Sequence, residues 1–119
     1  MDEAQIAAIR TRLEAMLAAL DQDDVRGAEG QRIVSLDQAS VGRLSRMDAL
    51  QGQAMAKATQ ARRETNRKRI AAAFARIDEG EFGYCTECGE EIAANRLDLD
   101  PTVPTCIACA QGHTRRDRP

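Results

Sequence analysis

Hydrophobic residues near the start of the chain recur at intervals of three and four, which is the pattern of an amphipathic helix. This stripe consists of Ile6, Ile9, Leu13, Met16, Leu17 and Leu20. Asp2 stands just before it and has a side-chain oxygen of the kind that caps a helix N-terminus. We therefore predict a helix from residue 2 to about residue 21, with its apolar stripe packed against another helix of the same chain.

The periodicity breaks after this helix. Residues 22–36 contain Gly27, Gly30 and several acidic side chains, and glycines among polar residues are typical of turns. We predict a turn at about 22–36, with its acidic residues exposed at an apex.

A second and much longer helix is predicted from about residue 35 or 37 to Glu79. Its first apolar seam consists of Leu44, Met47, Leu50, Ala54, Ala58 and Ala61, and the seam continues with Ile70, Phe74 and Ile77. Small alanine side chains allow a partner helix to approach closely. Gly80 follows as a residue suited to the left-handed conformation that ends many helices.

These elements predict a mainly α fold, an antiparallel two-helix coiled-coil hairpin with a small C-terminal four-cysteine zinc finger. The 119 residues include two Phe, one Tyr and no Trp, which leaves little bulk for a globular core. We expect the hairpin to span residues 1–79, the cysteine-containing module to span 80–112, and residues 113–119 to form a flexible tail.

All four cysteines belong to one pattern. Cys85 and Cys88 form one Cys-x-x-Cys pair, Cys106 and Cys109 form another, and seventeen residues separate the pairs. This spacing is typical of zinc sites in which each pair offers two sulfur atoms to a tetrahedral ion. Four thiolates leave no open coordination position, so we predict one structural Zn²⁺ with these four ligands and no catalytic role.

Two other uses of four cysteines compete with zinc binding. A pair of disulfides would need an oxidising compartment, and the residues after Met1 show no signal peptide. A redox-active pair would need a βαβ context, which the pattern lacks. His113 follows Cys109 by four residues, but four sulfurs already complete a zinc site.

The formal net charge is −2, whereas a reader of duplex DNA ordinarily carries a basic surplus. We therefore expect no direct sequence-specific DNA binding. The basic stretch from Arg62 to Arg69 fits either solvated helix surface or a contact with phosphate or an acidic protein. No apolar run is long enough to cross a membrane, and no nucleotide loop or catalytic constellation is present. We expect a cytoplasmic protein that is not an enzyme.

The segment Phe82-Gly83-Tyr84-Cys85, followed by Cys88-Gly89, Arg96-Leu97, Pro101-Thr102 and Cys106, resembles the zinc-finger signature of the DksA/TraR family. Members of this family are bacterial transcription factors that bind RNA polymerase. The resemblance implies a coiled-coil hairpin that enters the secondary channel of the polymerase and modulates initiation. It also implies an acidic hairpin tip, for which Asp37 and Ala39 are the best matches in this sequence.

Other tip candidates are Asp48 and, if Asp37 is not the tip residue, Asp21, Asp23 or Asp24. Members that respond to guanosine tetraphosphate carry basic side chains at two places where this sequence has Asp100 and Ala110. The resemblance therefore implies weak binding of this alarmone, or none, at that site. Two functions from other classes stay open, a nucleic-acid-binding zinc module and an adaptor for a protein other than polymerase.

Overall fold

The computed structural model describes residues 1–38 and 43–112, and within them the side chains of residues 1–28 and 46–112. Four helices follow one another: α1 (Glu3–Gln38), α2 (Arg43–Asp78), α3 (Ala94–Leu99) and α4 (Ile107–Ala110). The described residues therefore confirm the mainly α fold class, with two long helices before a small cysteine-containing module.

The start of α1 agrees with the sequence prediction. The Asp2 carboxylate accepts a 2.8 Å hydrogen bond from the backbone N–H of Gln5, and the Gln5 side-chain oxygen accepts one of 2.9 Å from the N–H of Asp2. This reciprocal pair is a capping box, which satisfies N–H groups that have no partner within the helix. The predicted stripe is also confirmed, because its members are the half-buried and buried apolar positions of the first five turns.

The turn predicted at about residues 22–36 is wrong, because α1 continues without a break through this stretch to Gln38. The signals for a turn were the glycines and the acids. In the structure Asp21 and Asp24 form ion pairs with arginines of α2, and Gly27 lies close to one of those arginines. Contacts with α2 thus outweigh the local preference for a turn.

The chain forms two compact units. Unit 1 comprises Met1–Glu14 and Lys68–Pro119, and unit 2 comprises Ala15–Arg67. The start of α1 and the end of α2 thus belong to the same unit as the cysteine-containing module. The domain boundary that the sequence predicts after residue 79 stays a prediction. Among the described side chains, every buried one belongs to unit 1. They are Leu13, Ile70, Ala73, Phe82, Cys85, Ile92, Leu97, Pro101, Thr102 and Val103.

The two long helices run antiparallel in unit 2, where Asp21 pairs with Arg67 and Asp24 pairs with Arg63. The seam predicted for this part of α2 is wrong. Met47 and Leu50 are each 60% exposed, and the predicted alanines are exposed as well, while the half-buried positions are Ala49, Gln53, Ala56, Arg63 and Arg67. An alanine-rich helix offers more than one apolar stripe, and the face that turns inward here is the one whose arginines pair with α1. The side chain of Leu44, also assigned to the predicted seam, lies outside the described part of the chain.

The C-terminal half of the α2 prediction is confirmed in unit 1, where Ile70 is buried and Phe74 and Ile77 are half-buried. Gly80 has a φ of 74° and donates to the carbonyl of Ile77, while Glu81 donates to that of Arg76. This is the predicted left-handed helix ending. No helix among the described residues is long and apolar enough to span a membrane.

Candidate metal centre

The first cysteine pair lies on a tight turn between two short extended segments. Cys85 donates to the carbonyl of Glu90 at 2.8 Å, and Ile92 donates to that of Gly83 at 2.8 Å. The chain reverses at Gly89, whose φ of 76° is costly for residues with a side chain. Its N–H donates to the carbonyl of Cys85 at 2.9 Å. This turn directs both sulfur atoms of the pair to one side.

The second pair uses a different local structure. Cys106 is the N-cap residue of α4, with an extended backbone, and Ala110 donates to its carbonyl at 3.0 Å. Cys109 therefore lies one helical turn further on, on the same side as Cys106. A helix start brings the two sulfurs together without a positive φ, which explains why no glycine follows Cys109 directly.

The fold brings all four sulfur atoms together. They lie within 4.8 Å of one another, and the sulfurs of Cys88 and Cys106, which come from different pairs, are 3.7 Å apart. Zinc–sulfur bonds of about 2.3 Å in a tetrahedron place the sulfurs about 3.8 Å apart. The cluster therefore fits one zinc ion, and its four sulfurs complete the coordination sphere.

Backbone N–H groups around the cluster favour ionised sulfur. Burial alone would raise the pKa of Cys85, but the N–H groups of Cys88, Cys106 and Glu87 lower it to about 6. The Glu87 N–H lies 3.4 Å from the Cys85 sulfur. By contrast, burial and the neighbouring sulfurs raise the pKa of Cys109 to about 12. Cys85 is thus ready to bind a cation at neutral pH, while Cys109 must give up a proton to do so.

Two contacts join the two halves of the module. The Thr86 N–H donates to the carbonyl of Pro104 at 2.8 Å, and Arg96 Nε donates to the carbonyl of Thr105 at 3.0 Å. Both acceptors lie in the segment that leads into Cys106. The second cysteine pair is therefore held in place by the first turn and by α3.

Two arginines of the long helices, both within unit 1, also contact this module. Arg12 of α1 donates to the carbonyl of Asp98 at 2.6 Å, at the C-terminal end of α3. Arg69 of α2 pairs with the Asp100 carboxylate at 3.0 Å. Positive charge near the carbonyls that end a helix is favourable.

Asp100 organises the turn after α3. Its carboxylate accepts hydrogen bonds from the N–H of Thr102 at 2.9 Å and from the Thr102 hydroxyl at 2.6 Å, and Thr102 is 4% exposed. Burial raises the pKa of Asp100, but these bonds and Arg69 outweigh it and lower the pKa. The sequence analysis missed this role, although Asp followed by Pro and Thr is a recognisable turn signal.

Three of the four arginines of the basic stretch engage acidic partners within the chain. Arg63 and Arg67 pair with Asp24, Arg67 also pairs with Asp21, and Arg69 pairs with Asp100. These ion pairs reduce the positive charge that this part of α2 offers to phosphate.

The predicted tip residues cannot be placed in a site. Asp37 lies within the helical backbone of α1, but its side chain is outside the described part of the chain, and Ala39 is outside the described residues altogether. Both stay predictions. His113 is outside the described residues as well.

The class of protein follows from the fold and the site together. Two long antiparallel helices precede a module with four clustered cysteines, as in a C4-type zinc-finger protein of mainly α structure. A family model described as "Prokaryotic dksA/traR C4-type zinc finger" matches residues 80–115. The zinc-finger module is thus similar to that of the DksA/TraR family, and it carries the four-cysteine set for one structural zinc ion.

Curated relatives match part of the chain. The "RNA polymerase-binding transcription factor DksA" of Haemophilus influenzae is 48% identical over 42 residues, which are 35% of this chain and 29% of the relative. The protein of the same name from Caulobacter vibrioides is 38% identical over 50 residues, 42% of this chain and 35% of the relative. The matched stretch thus spans about a third of the length of these relatives.

One solved structure matches the whole chain. Transcription factor DksA2 from Pseudomonas aeruginosa superposes with a TM-score of 0.83 over 100% of this chain and 90% of its own, at 24% sequence identity. This similarity establishes the fold and extends it beyond the zinc finger to the long helices.

Proposed function

We propose that this protein is a DksA-like transcription regulator that binds RNA polymerase through its secondary channel and modulates initiation. The observation that carries the proposal is the match of 35–42% of the chain to relatives named RNA polymerase-binding transcription factors. The fold supports it, because the whole chain superposes on DksA2. Polymerase binding places the protein in the cytoplasm, and no enzymatic role is proposed.

In this proposal the zinc ion has a structural role. Cys85, Cys88, Cys106 and Cys109 are its proposed ligands. The ion ties the turn at Gly89 to the start of α4, and Arg12 and Arg69 join the module to the long helices. The helices then present the polymerase-binding surface, with Asp37 and Ala39 as the proposed tip residues.

The decisive experiment is binding of the purified protein to RNA polymerase core enzyme, followed by competition with a known secondary-channel binder. We expect saturable binding that the competitor abolishes. Binding that survives excess competitor would place the protein elsewhere on the polymerase. Absence of binding, with the zinc-loaded protein folded, would leave the adaptor for another protein as the better proposal.

A nucleic-acid-binding zinc module is the second candidate. It would use the basic stretch of α2, but Arg63, Arg67 and Arg69 are engaged by carboxylates of the same chain. Binding to duplex DNA that weakens steeply with added salt would favour this candidate. We expect no such binding at physiological ionic strength.

A further inference from the structure

Among its described side chains, the helix pair in unit 2 has no fully buried apolar residue. Val25, Met47, Leu50 and Met55 are at least 60% exposed, and the inward-facing large apolar residues Met16, Leu17 and Leu20 are half-buried and lie in the first turns of the unit. Around Asp24 the described apolar contacts come from small residues such as Ala49 and Ala56, and packing of such residues fits many relative positions of two helices almost equally well. Another interaction is needed there to fix which residues lie side by side.

Charged residues occupy the inner face at this level. Arg63 Nε lies 2.5 Å from the Asp24 carboxylate, and Arg67 pairs with both Asp24 and Asp21. The side chains of Arg63 and Arg67 are 14% and 21% exposed, far less than a freely solvated arginine. The two arginines lower the pKa of Asp24, so this carboxylate is ionised at neutral pH. We call Asp21, Asp24, Arg63 and Arg67 the ionic cluster.

Gly27 provides the space for one member of this cluster. A Cβ atom at position 27 would lie 2.9 Å from Nη2 of Arg63, which is closer than such atoms normally approach. Glycine inside a helix costs about 1 kcal/mol relative to alanine. Here it leaves room for the guanidinium of Arg63 to lie across α1 while Arg63 Nε pairs with Asp24.

A shift of one heptad would break the cluster. Seven residues before Arg63 and Arg67 stand Ala56 and Gln60, and seven residues after them stand Ile70 and Phe74. In neither shifted register does α2 present a positive charge to Asp24 at these positions. Both shifts also move Arg63 away from the space at Gly27. A half-buried charge without a partner is costly, and such polar contacts are known to specify register in coiled coils.

We propose that the ionic cluster, seated against Gly27, is the register lock of unit 2. These charges decide which residues of α1 and α2 face each other around Asp24 and Arg63, where no described apolar side chain is fully buried. The inference does not depend on polymerase binding, and its tests use the purified zinc-loaded protein alone.

The first test compares Arg63→Gln with Arg62→Gln by amide hydrogen exchange of the full chain. Arg62 is the matched control, because it is exposed and its side chain contacts Thr59 at 3.5 Å. We expect Arg63→Gln to speed exchange in unit 2 by roughly threefold to tenfold, with little change in unit 1 or in zinc content. The control should change exchange less than about twofold. Equal effects of the two substitutions would overturn the proposal.

Charge reversal distinguishes a register that opposite charges set from one that side-chain packing sets. Reversing only α1 (Asp21→Arg with Asp24→Arg) or only α2 (Arg63→Asp with Arg67→Asp) should speed exchange in unit 2 by about tenfold or more. Combining both reversals should restore protection to within about threefold of the natural protein. If the combined variant is as unprotected as the single reversals, opposite charges do not set the register.

Gly27→Ala tests whether the space at Gly27 is needed for the guanidinium of Arg63. In the natural background the new methyl group displaces the guanidinium from Asp24, which cancels the gain from a better helix former. In an Arg63→Ala background nothing is displaced, so Gly27→Ala should slow exchange in unit 2 by roughly threefold to fivefold. The same effect in both backgrounds would show that Gly27 has no part in the lock.

Discussion

The Asp100 carboxylate in the zinc-finger module lies 3.0 Å from the guanidinium of Arg69 on α2. The two residues are thirty-one positions apart in the chain, and the same carboxylate also holds the N–H and hydroxyl of Thr102. One side chain thus ties the turn after α3 to a long helix. The family resemblance implied that position 100 lacks the basic residue of alarmone-responsive members. In this protein Asp100 has a structural role instead.

Asp100→Ala should lower the free energy of unfolding by about 1 kcal/mol, since a partly exposed carboxylate loses its charged and neutral hydrogen bonds. Urea denaturation of the zinc-loaded protein measures this. Asp98→Ala is the matched control, because the contact of Arg12 is with the backbone carbonyl of Asp98. An equal loss in both variants would show that the Asp100 contacts contribute nothing specific.

The charge of Asp100 also affects the binding expected for guanosine tetraphosphate. This negative charge would repel a polyphosphate, so we expect weak binding of guanosine tetraphosphate, or none, to the complex of this protein with polymerase. Isothermal titration tests this, with the Asp100→Arg and Ala110→Lys double variant as a comparison that should bind more tightly. Tight, saturable binding that depends on the natural protein would contradict the prediction.

Zinc affinity should depend steeply on pH. The pKa of Cys109 is raised to about 12, and the Glu90 N–H lowers the pKa of Cys88 but burial and the Cys85 and Cys106 sulfurs raise it overall. Both thiols must therefore lose a proton on binding at neutral pH. Protons therefore compete with the ion, and the apparent affinity falls as the pH falls. Chelator competition between pH 6 and 8 should show a change of about 100-fold or more per pH unit. A change clearly below about 100-fold per pH unit would mean that fewer than two protons are displaced.

Cys88→Ser should abolish stoichiometric zinc binding and the cooperative unfolding of the module, because three thiolates leave the site incomplete. Elemental analysis measures the zinc. Tyr84 is the single tyrosine of the sequence and lies next to Cys85, so its fluorescence reports on the module. Thr86→Ser is the control and should keep both properties. Full zinc content in Cys88→Ser would mean that this cysteine is not a ligand.

Asp37→Asn should leave polymerase binding intact while reducing the effect on transcription, if Asp37 is the tip residue. In vitro initiation from a promoter that responds to the natural protein measures the effect, and Asp48→Asn serves as the comparison. Unchanged transcription with Asp37→Asn would show that the tip lies elsewhere. A loss with Asp48→Asn alone would point to that residue instead.

Much of the fold and the metal centre could be predicted because the signals are local. The two cysteine pairs are short in sequence, and the turn at Gly89 and the start of α4 are formed by neighbouring residues. The stripe of α1 and the helix ending at Gly80 also depend on residues a few positions apart. Local spacing determines local geometry, so the α1 stripe and the helix ending at Gly80 were confirmed, and the four sulfurs lie together as one zinc ion requires.

The α1 stripe, the mainly helical class and the two cysteine pairs follow from residue order alone. The helical conformation of residues 22–36, the position of Arg63 and Arg67 on the inner face of α2 and the pairing of Asp100 with Arg69 became visible in the folded chain. These features depend on charges that folding brings together from distant parts of the chain. The strength of an ion pair depends on distance and burial, and neither quantity can be read from residue order.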